Sequence, residues 1–419
     1  MSAIREALIL QKRELERRLG QKYIIRDAKI HGIASDIIKV IIGPRRAGKS
    51  FFAMNQIGNA GSFGYANFDD ETLADAKDYN EIITELDSIY NKPKYVLFDE
   101  VQNLKKWELF VNRLQRQGYN LVITGSNSNL LSKELSTHLT GRHTITDIMP
   151  LSFKEFISSE GKELTTQEIM ARFFEYSEHG GYPEPLVKGL DYREYLSTLF
   201  ESIIYKDIVK RYRIRKPKTV EELASYLISN TAREFSYNNL AEMTSSESPH
   251  TAKAYVNYLK EAFIFFEVSM YSRKMKEQIK RNKKIYCIDN GFVLAKAFKT
   301  SQEKGRLYEN LVAIELKRRA ATSHFNFYYW KNQQQEEVDF VIAGDREISE
   351  LIQVCSSLEE QKTRSREIRA LLKASAESGC NNLTILTEDY ESEEEADWFG
   401  IRRDVKFVPI WKWLLNQAE

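Results

Sequence analysis

Between residues 37 and 150, short unbroken apolar runs alternate with stretches in which apolar residues recur every third or fourth position. The runs lie in IIKVII (37–42), GYANFDD (64–70), KYVLFDEVQ (94–102), NLVITGS (120–126) and RHTITDIMP (142–150). Runs of this length suit strands buried on both faces, and the segments between them are long enough for helices. Strand and helix in alternation predict a parallel α/β sheet covered on both sides.

Past residue 150 the rhythm changes. From about 151 to 215 the helical spacing is continuous through PLSFKEFISS, QEIMARFFEYSEHG and EYLSTLFESIIYKDIVKRY, which predicts a run of helices. Gly180 and Gly181, followed by Pro183, predict a helix stop and a reversal, either a plain turn or a hinge. Residues 220–290 predict three short helices (VEELASYLISNTA, SYNNLAEMTS, SPHTAKAYVNYLKEA) and then a strand pair (FIFFEVSMY, KKIYCID). From 305 to 390 the pattern predicts a helix (GRLYENLVAIELKRR), strands in FNFYYWK, EEVDFVI and ELIQVCSS, a second helix and a strand in NLTILT. The acidic stretch EDYESEEEADW (388–398) reads as a solvated loop.

Composition narrows the class. The 419 residues are 42% hydrophobic and 29% charged, which suits a chain with a buried core and suits neither a disordered nor a fibrous one. There is no apolar run of about 18 residues, and the amino-terminal apolar patch is soon charged, so a cytoplasmic protein without membrane contact is expected. Three cysteines stand far apart and six histidines form no metal-binding spacing, which points to reduced thiols and away from a histidine-built metal centre. With 61 basic and 60 acidic residues, any attraction to nucleic acid must come from local clustering.

The first run leads directly into GPRRAGKS (43–50), the G-x-x-x-x-G-K-S spacing of a phosphate-binding loop. Gly43 and Gly48 let the backbone wrap so that its N–H groups face phosphate oxygens, and the following helix points its positive end at the same charge. The expected nucleotide cradle is Gly43, Pro44, Arg45, Arg46, Ala47, Gly48, Lys49, Ser50 and Phe51. Lys49 would reach the β and γ phosphates, and Ser50 would ligate Mg²⁺. Asp99 and Glu100 end the third run at the carboxyl edge of the sheet, where such folds bind ligands. Asp99 is expected to hold Mg²⁺ through a water, and Glu100 to orient and polarise the attacking water. Ser126 and Asn127 follow the fourth run, as sensors of the γ-phosphate or as a helix cap. Arg142 is either an arginine finger for a neighbouring subunit or a helix-terminal charge.

Together, GPRRAGKS, YANFDDETL, YVLFDEVQ, TGSNSNLL, LTGR, PLSFKEF and GGYPEPLV resemble the AAA+ superfamily ATPases of bacteria and archaea that carry a carboxyl-terminal nuclease-like domain of unknown function. The resemblance runs from about residue 20 to 390. It implies an AAA+ P-loop sheet with a helical lid, ATP and Mg²⁺ as ligands, and a homo-oligomeric ring. The expected organisation is an ATPase core with an amino-terminal helix at 1–150 and a helical lid at 151–217. A winged-helix module at 218–292 and a restriction-endonuclease-like α/β domain at 293–419 would follow.

Three helices and a strand pair form the winged-helix order, with SPHTAKAYVNYLKEA as the recognition helix. The DNA contacts expected there are Lys253 on that helix and Arg273, Lys274, Lys280, Arg281, Lys283 and Lys284 in the hairpin, since clustered cations bind phosphates by releasing counterions. The order of elements in residues 305–390 resembles the PD-(D/E)XK nuclease fold. Glu309 and Asp339 match the metal-binding carboxylates of that family, whereas Gln353 and Cys355 stand where it has a carboxylate and a lysine. Those replacements remove charge that metal-assisted hydrolysis requires, so the nuclease site is expected to be degenerate. The function expected is a DNA-remodelling or repair ATPase, with a nucleotide-gated scaffold and an ATP-dependent nuclease as alternatives.

Overall fold

The computed structural model describes residues 2–126, 141–246, 248–297, 304–323, 325–344, 347–358 and 360–416. These form two compact units, one made of residues 1–150 with the short segments 186–189 and 261–263, the other of the remainder.

The first unit is built on five parallel strands: β1 (Ile38–Ile42), β2 (Phe63–Asn67), β3 (Tyr95–Asp99), β4 (Leu121–Gly125) and β5 (His143–Asp147). Their order is β2-β3-β4-β1-β5, so β4 lies between the strand that leads into the glycine loop and the strand that ends in the acidic pair. Helices Ala3–Leu19, Tyr79–Tyr90 and Trp107–Arg116 contribute Leu8, Leu86 and Phe110 to the core on one face. Helix Lys49–Ala60 covers the other through Phe52, Ala53 and Ile57. Edge strand β2 would expose unpaired backbone groups, but the Gln11 amide meets both faces of one peptide position. Its nitrogen donates to Asn67 O at 3.1 Å and its oxygen accepts from Asn67 N at 2.8 Å.

Lys39 breaks the apolar run of β1 and is nevertheless buried. Its ammonium donates to Ser35 O and Asn120 Oδ1, and burial pulls its pKa down to about 8 against the opposing charge of Asp36.

The second unit begins with helices Phe153–Ser158 and Thr166–His179, each closed at its start by a reciprocal Ser/Thr–Glu capping box. The Gly180–Gly181 reversal is packed tight: a Cβ on Gly180 would lie 1.8 Å from Asp289 Oδ1, and one on Gly181 would lie 2.2 Å from Leu151 O. Gly181 N donates to Asp289 Oδ2 at 2.7 Å. The glycines thus permit a close approach, which is a poor design for a hinge.

Helices Pro217–Ser229, Tyr237–Met243 and Pro249–Glu261 follow, with a sheet in the order β6-β8-β7 (Arg233–Phe235, Phe265–Ser269 and Lys283–Cys287 in chain order β6, β7, β8). The expected strand pair is therefore three strands, because the short segment REF between the first two helices pairs with β8. The hairpin between β7 and β8 holds a helical turn, Met275–Lys280.

Helix Lys304–Ala320 leads to a six-stranded mixed sheet of β9 (Asn326–Lys331), β10 (Glu337–Ala343), β11 (Ile348–Cys355), β12 (Leu383–Thr387), β13 (Ser392–Trp398) and β14 (Ile401–Pro409). Its order is β13-β14-β12-β11-β10-β9, with helix Gln361–Ser378 packed on it. Residues 392–398 of the acidic stretch expected as a loop form β13. Its odd residues face out, with Asp397 paired to Arg402 at 2.8 Å and Glu393 opposite Lys406, while Ala396 and Trp398 pack on the core. Arg402 of β14 and Arg364 of helix Gln361–Ser378 pair with Asp397 and Glu394, so part of the charge that made the segment read as solvated is partnered.

Candidate functional site

At the carboxyl edge of the first sheet the chain leaves β1 at Gly43, whose φ of 142° belongs to glycine and whose missing Cβ leaves room for Ile148 O, 2.0 Å from where it would stand. Arg46 and Gly48 also take positive φ, 65° and 94°, so the loop curls back over the start of helix Lys49–Ala60. No side chain caps that helix. Its first N–H groups and its positive dipole end are directed into the loop, as an anion site requires. Buried Arg26 braces the loop from beneath, with Nη1 donating to Ala47 O at 2.9 Å and Nη2 to Met149 O. Lys49 is buried as well, and its Nζ donates to Pro44 O at 2.8 Å.

Asp99, 3% exposed, is the hub of the site. Its Oδ1 accepts from Ser50 Oγ at 2.8 Å and from Thr124 Oγ1, and its Oδ2 accepts from Tyr65 OH at 3.1 Å. Burial and the neighbouring charge of Glu100 raise its pKa, against which the three hydroxyl donors stabilise the ionised form. The Tyr65 hydroxyl is pushed up in turn by burial and by Asp99. Glu100 turns the chain with a φ of 51°. Its Oε2 accepts from Ser126 Oγ at 3.0 Å and from Gln102 Nε2, and its backbone N donates to Thr124 Oγ1 at 3.2 Å. The structure thus brings Gly43, Lys49, Ser50, Asp99, Glu100 and Ser126 to one edge, with Arg45, Arg46, Ala47 and Phe51 in the same loop and helix start.

Arg26, Tyr65 and Thr124 belong to this site and were missed from sequence. Thr124 could have been found from the polar residue interrupting the NLVITGS run. Arg142 is exposed at the opposite, amino edge, its carbonyl accepting from Ile38 N at 3.0 Å, away from this chain's own loop. Asn127 and the helix expected after it lie outside the described residues.

A second cluster lies in the other unit. Lys284, 3% exposed, places Nζ 2.7 Å from Glu309 Oε1 and 3.4 Å from Asp339 Oδ1, and pairs with Glu337. Tyr286 OH donates to the same Glu309 oxygen at 2.7 Å. Burial raises the pKa of both Glu309 and Asp339, and the Lys284 ammonium opposes the rise. Gln353 accepts from Asp339 N at 3.1 Å and donates to Glu367 at 2.7 Å, while Cys355 donates its thiol proton to Ser357 O.

The residues expected at DNA divide. Lys253, Arg273, Lys274, Lys280 and Arg281 are exposed, with Lys276 beside them. Lys283 is held 2.9 Å from Glu267. Lys284 is corrected outright: its side chain runs inward from β8 and its charge is consumed by buried carboxylates, so it is withdrawn from any phosphate.

Residues 35–157 match the family model described as an AAA domain. Residues 170–303 and 304–412 match two domains of unknown function (DUF8612 and DUF4143). An uncharacterized protein of Methanocaldococcus jannaschii is 36% identical, across 98% of this chain and 95% of its own. An uncharacterized protein of Haemophilus influenzae is 31% identical, across 75% of this chain and 81% of its own. The Walker-type ATPase of Pyrococcus abyssi, a solved structure, aligns over 62% of this chain and 90% of its own, with a TM-score of 0.41 and 16% identity. No helix among the described residues is long and apolar enough to cross a membrane.

Proposed function

Since the chain belongs to the family of these uncharacterized archaeal and bacterial proteins and carries an AAA domain, we propose that it is a Mg²⁺- and ATP-dependent ATPase that remodels or repairs DNA. The observation that carries the ATPase reading is the convergence of Lys49, Ser50, Asp99 and Glu100 on one sheet edge.

Ser50 Oγ and the Asp99 carboxylate, 2.8 Å apart, are the hydroxyl and carboxylate oxygens that suit Mg²⁺, which would draw charge from the phosphates. Loop N–H groups hold the phosphate chain, and Lys49 exchanges its bond to Pro44 O for a phosphate oxygen. Both donors to Glu100 meet Oε2, so Oε1 is the atom left to orient water in line with the γ-phosphate. Arg142, on the far edge of the sheet, acts in a neighbouring copy's site, which accords with a ring or partial ring.

DNA would be held by the winged-helix arrangement of residues 218–292, through Lys253 on the third helix and Arg273, Lys274, Lys276, Lys280 and Arg281 at the hairpin. Residues 293–419 serve in this reading as a nuclease-like fold retained as a scaffold.

The experiment is nucleotide binding and phosphate release by the wild type, Lys49→Ala and Glu100→Gln, with and without duplex, branched and single-stranded DNA. Lys49→Ala is expected to lose tight binding, and Glu100→Gln to bind ATP without turning it over. Normal turnover by both would refute the assignment. DNA affinity should fall steeply with salt, and neutralising Lys280 and Arg281 should lower the slope by about 0.9 for each DNA phosphate that goes unneutralised. No binding at low salt would remove DNA from the proposal.

A further inference from the structure

Glu309 and Asp339, which match the metal-binding carboxylates of the nuclease family, do not fit a divalent ion here, and the misfit has a cause besides the replaced Gln353 and Cys355. We infer that the Lys284 ammonium is a tethered cation standing where Glu309, Glu337 and Asp339 would otherwise gather a divalent metal ion.

Three carboxylates, from helix Lys304–Ala320 and strand β10, meet at one buried point, and Nζ of Lys284 fills it. The Tyr329 ring adds a π-face 5.6 Å from the same nitrogen. A divalent ion bound to these oxygens would need contacts of about 2.0–2.6 Å, which would bring it against the ammonium they already hold. The neighbouring groups are committed elsewhere. Asp339 Oδ2 accepts from Val354 N at 3.0 Å, and Gln353 spends its amide on Asp339 N and Glu367. Lys331 pairs with Glu234 at 2.5 Å and lies 3.7 Å from Glu337, so a second cation already flanks the cluster. Among the described residues no group of three or more His, Cys, Asp and Glu is arranged to hold a metal. The inserted lysine explains why this group is not. Its consequence is structural: β8, helix Lys304–Ala320 and β10 share one ionic centre that needs no metal supply.

This deepens the scaffold reading, and ATP turnover is no part of its test, so the two can fail separately. The probe is Mn²⁺, counted by electron paramagnetic resonance on the full chain carrying Asp99→Asn, without nucleotide, so that the phosphate-loop site is silent. With Lys284 intact, no Mn²⁺ dependent on Asp339 is expected. Adding Lys284→Met, or the milder Lys284→Gln, is expected to create one Mn²⁺ site per chain and to raise the unfolding temperature in Mn²⁺ by several degrees. Further addition of Asp339→Asn is expected to abolish both effects. Two results would overturn the inference: Mn²⁺ held while Lys284 is intact and lost with Asp339→Asn, or a folded Lys284 variant that gains no site. The first arm needs no Lys284 variant to fold, so it decides alone if those variants do not.

Discussion

Replacing Thr124 by valine keeps its shape and removes one hydroxyl that bonds both residues of the acidic pair. That hydroxyl donates to Asp99 Oδ1 and accepts from Glu100 N at 3.2 Å. Losing a hydrogen bond to a buried charged group costs about 1.5–3 kcal/mol, and leaving the Glu100 N–H unmatched about 1 more, so roughly 2.5–4 kcal/mol is expected in all. At roughly 2–4 °C per kcal/mol for a unit of this size, its unfolding transition should fall by about 5–15 °C. The kinetic effect follows from position. Glu100 is turned into the site by a left-handed residue anchored through Thr124, and a shift approaching 1 Å is expected to lower kcat by about 100-fold. Nucleotide affinity should change less than kcat, because Lys49 and the loop carbonyls are positioned through Pro44 O and Arg26.

The pH profile supplies an independent readout. Thr124 is one of the donors holding the Asp99 pKa down against burial, so its loss moves that pKa further up and the acid limb of kcat to higher pH. Thr124→Ser retains the hydroxyl and should restore stability, rate and profile together. The assays are calorimetric unfolding and phosphate release across pH. If valine and serine behave alike, Thr124 merely packs and its hydroxyl couples nothing.

Gly43→Ala places a methyl group 2.0 Å from Ile148 O at a φ of 142°, and should abolish nucleotide binding in a fluorescent-nucleotide titration while lowering stability. Arg26→Lys exchanges a two-pronged brace for a point charge, and is expected to weaken nucleotide binding about tenfold through loss of one anchored carbonyl. Burial raises Asp289 to about 7 against the N–H bonds from Gly181 and Gly291, so the folded state holds a proton that the unfolded chain releases near 3.8. Its contribution to stability is therefore full below about pH 4 and is lost as pH rises to about 7, with a slope approaching 1.4 kcal/mol per pH unit in that window. Denaturant unfolding of the wild type and Asp289→Asn across pH 4–8 checks it: the difference between them should carry that slope, and a flat difference would refute it.

The phosphate loop and the acidic pair were legible because their constraints are local. Buried strands need unbroken apolar runs, a loop that wraps phosphate needs glycine at fixed spacing, and a strand that ends in two carboxylates delivers both to the same sheet edge. Gly180 and Gly181 were legible as a stop, but the neighbours that demand them, Asp289 for Gly180 and Leu151 for Gly181, are far away in the chain. Thr124 and Tyr65 read as ordinary strand residues. Their role follows from strand order, since β4 lies beside β3 and β2 on its other side, and both hydroxyls thereby reach Asp99. The same limit misplaced Lys284 and the segment 392–398. A run of charges in sequence resembles a solvated face, and only the partners brought in from Glu309, Glu337, Asp339 and β14 decide that it is buried or paired. Hydropathy and backbone freedom are properties a residue carries alone, so the sequence by itself determined the P-loop sheet and its phosphate-facing edge. A polar group's cost or use depends on which atom completes its hydrogen bond, and only the tertiary structure decided that.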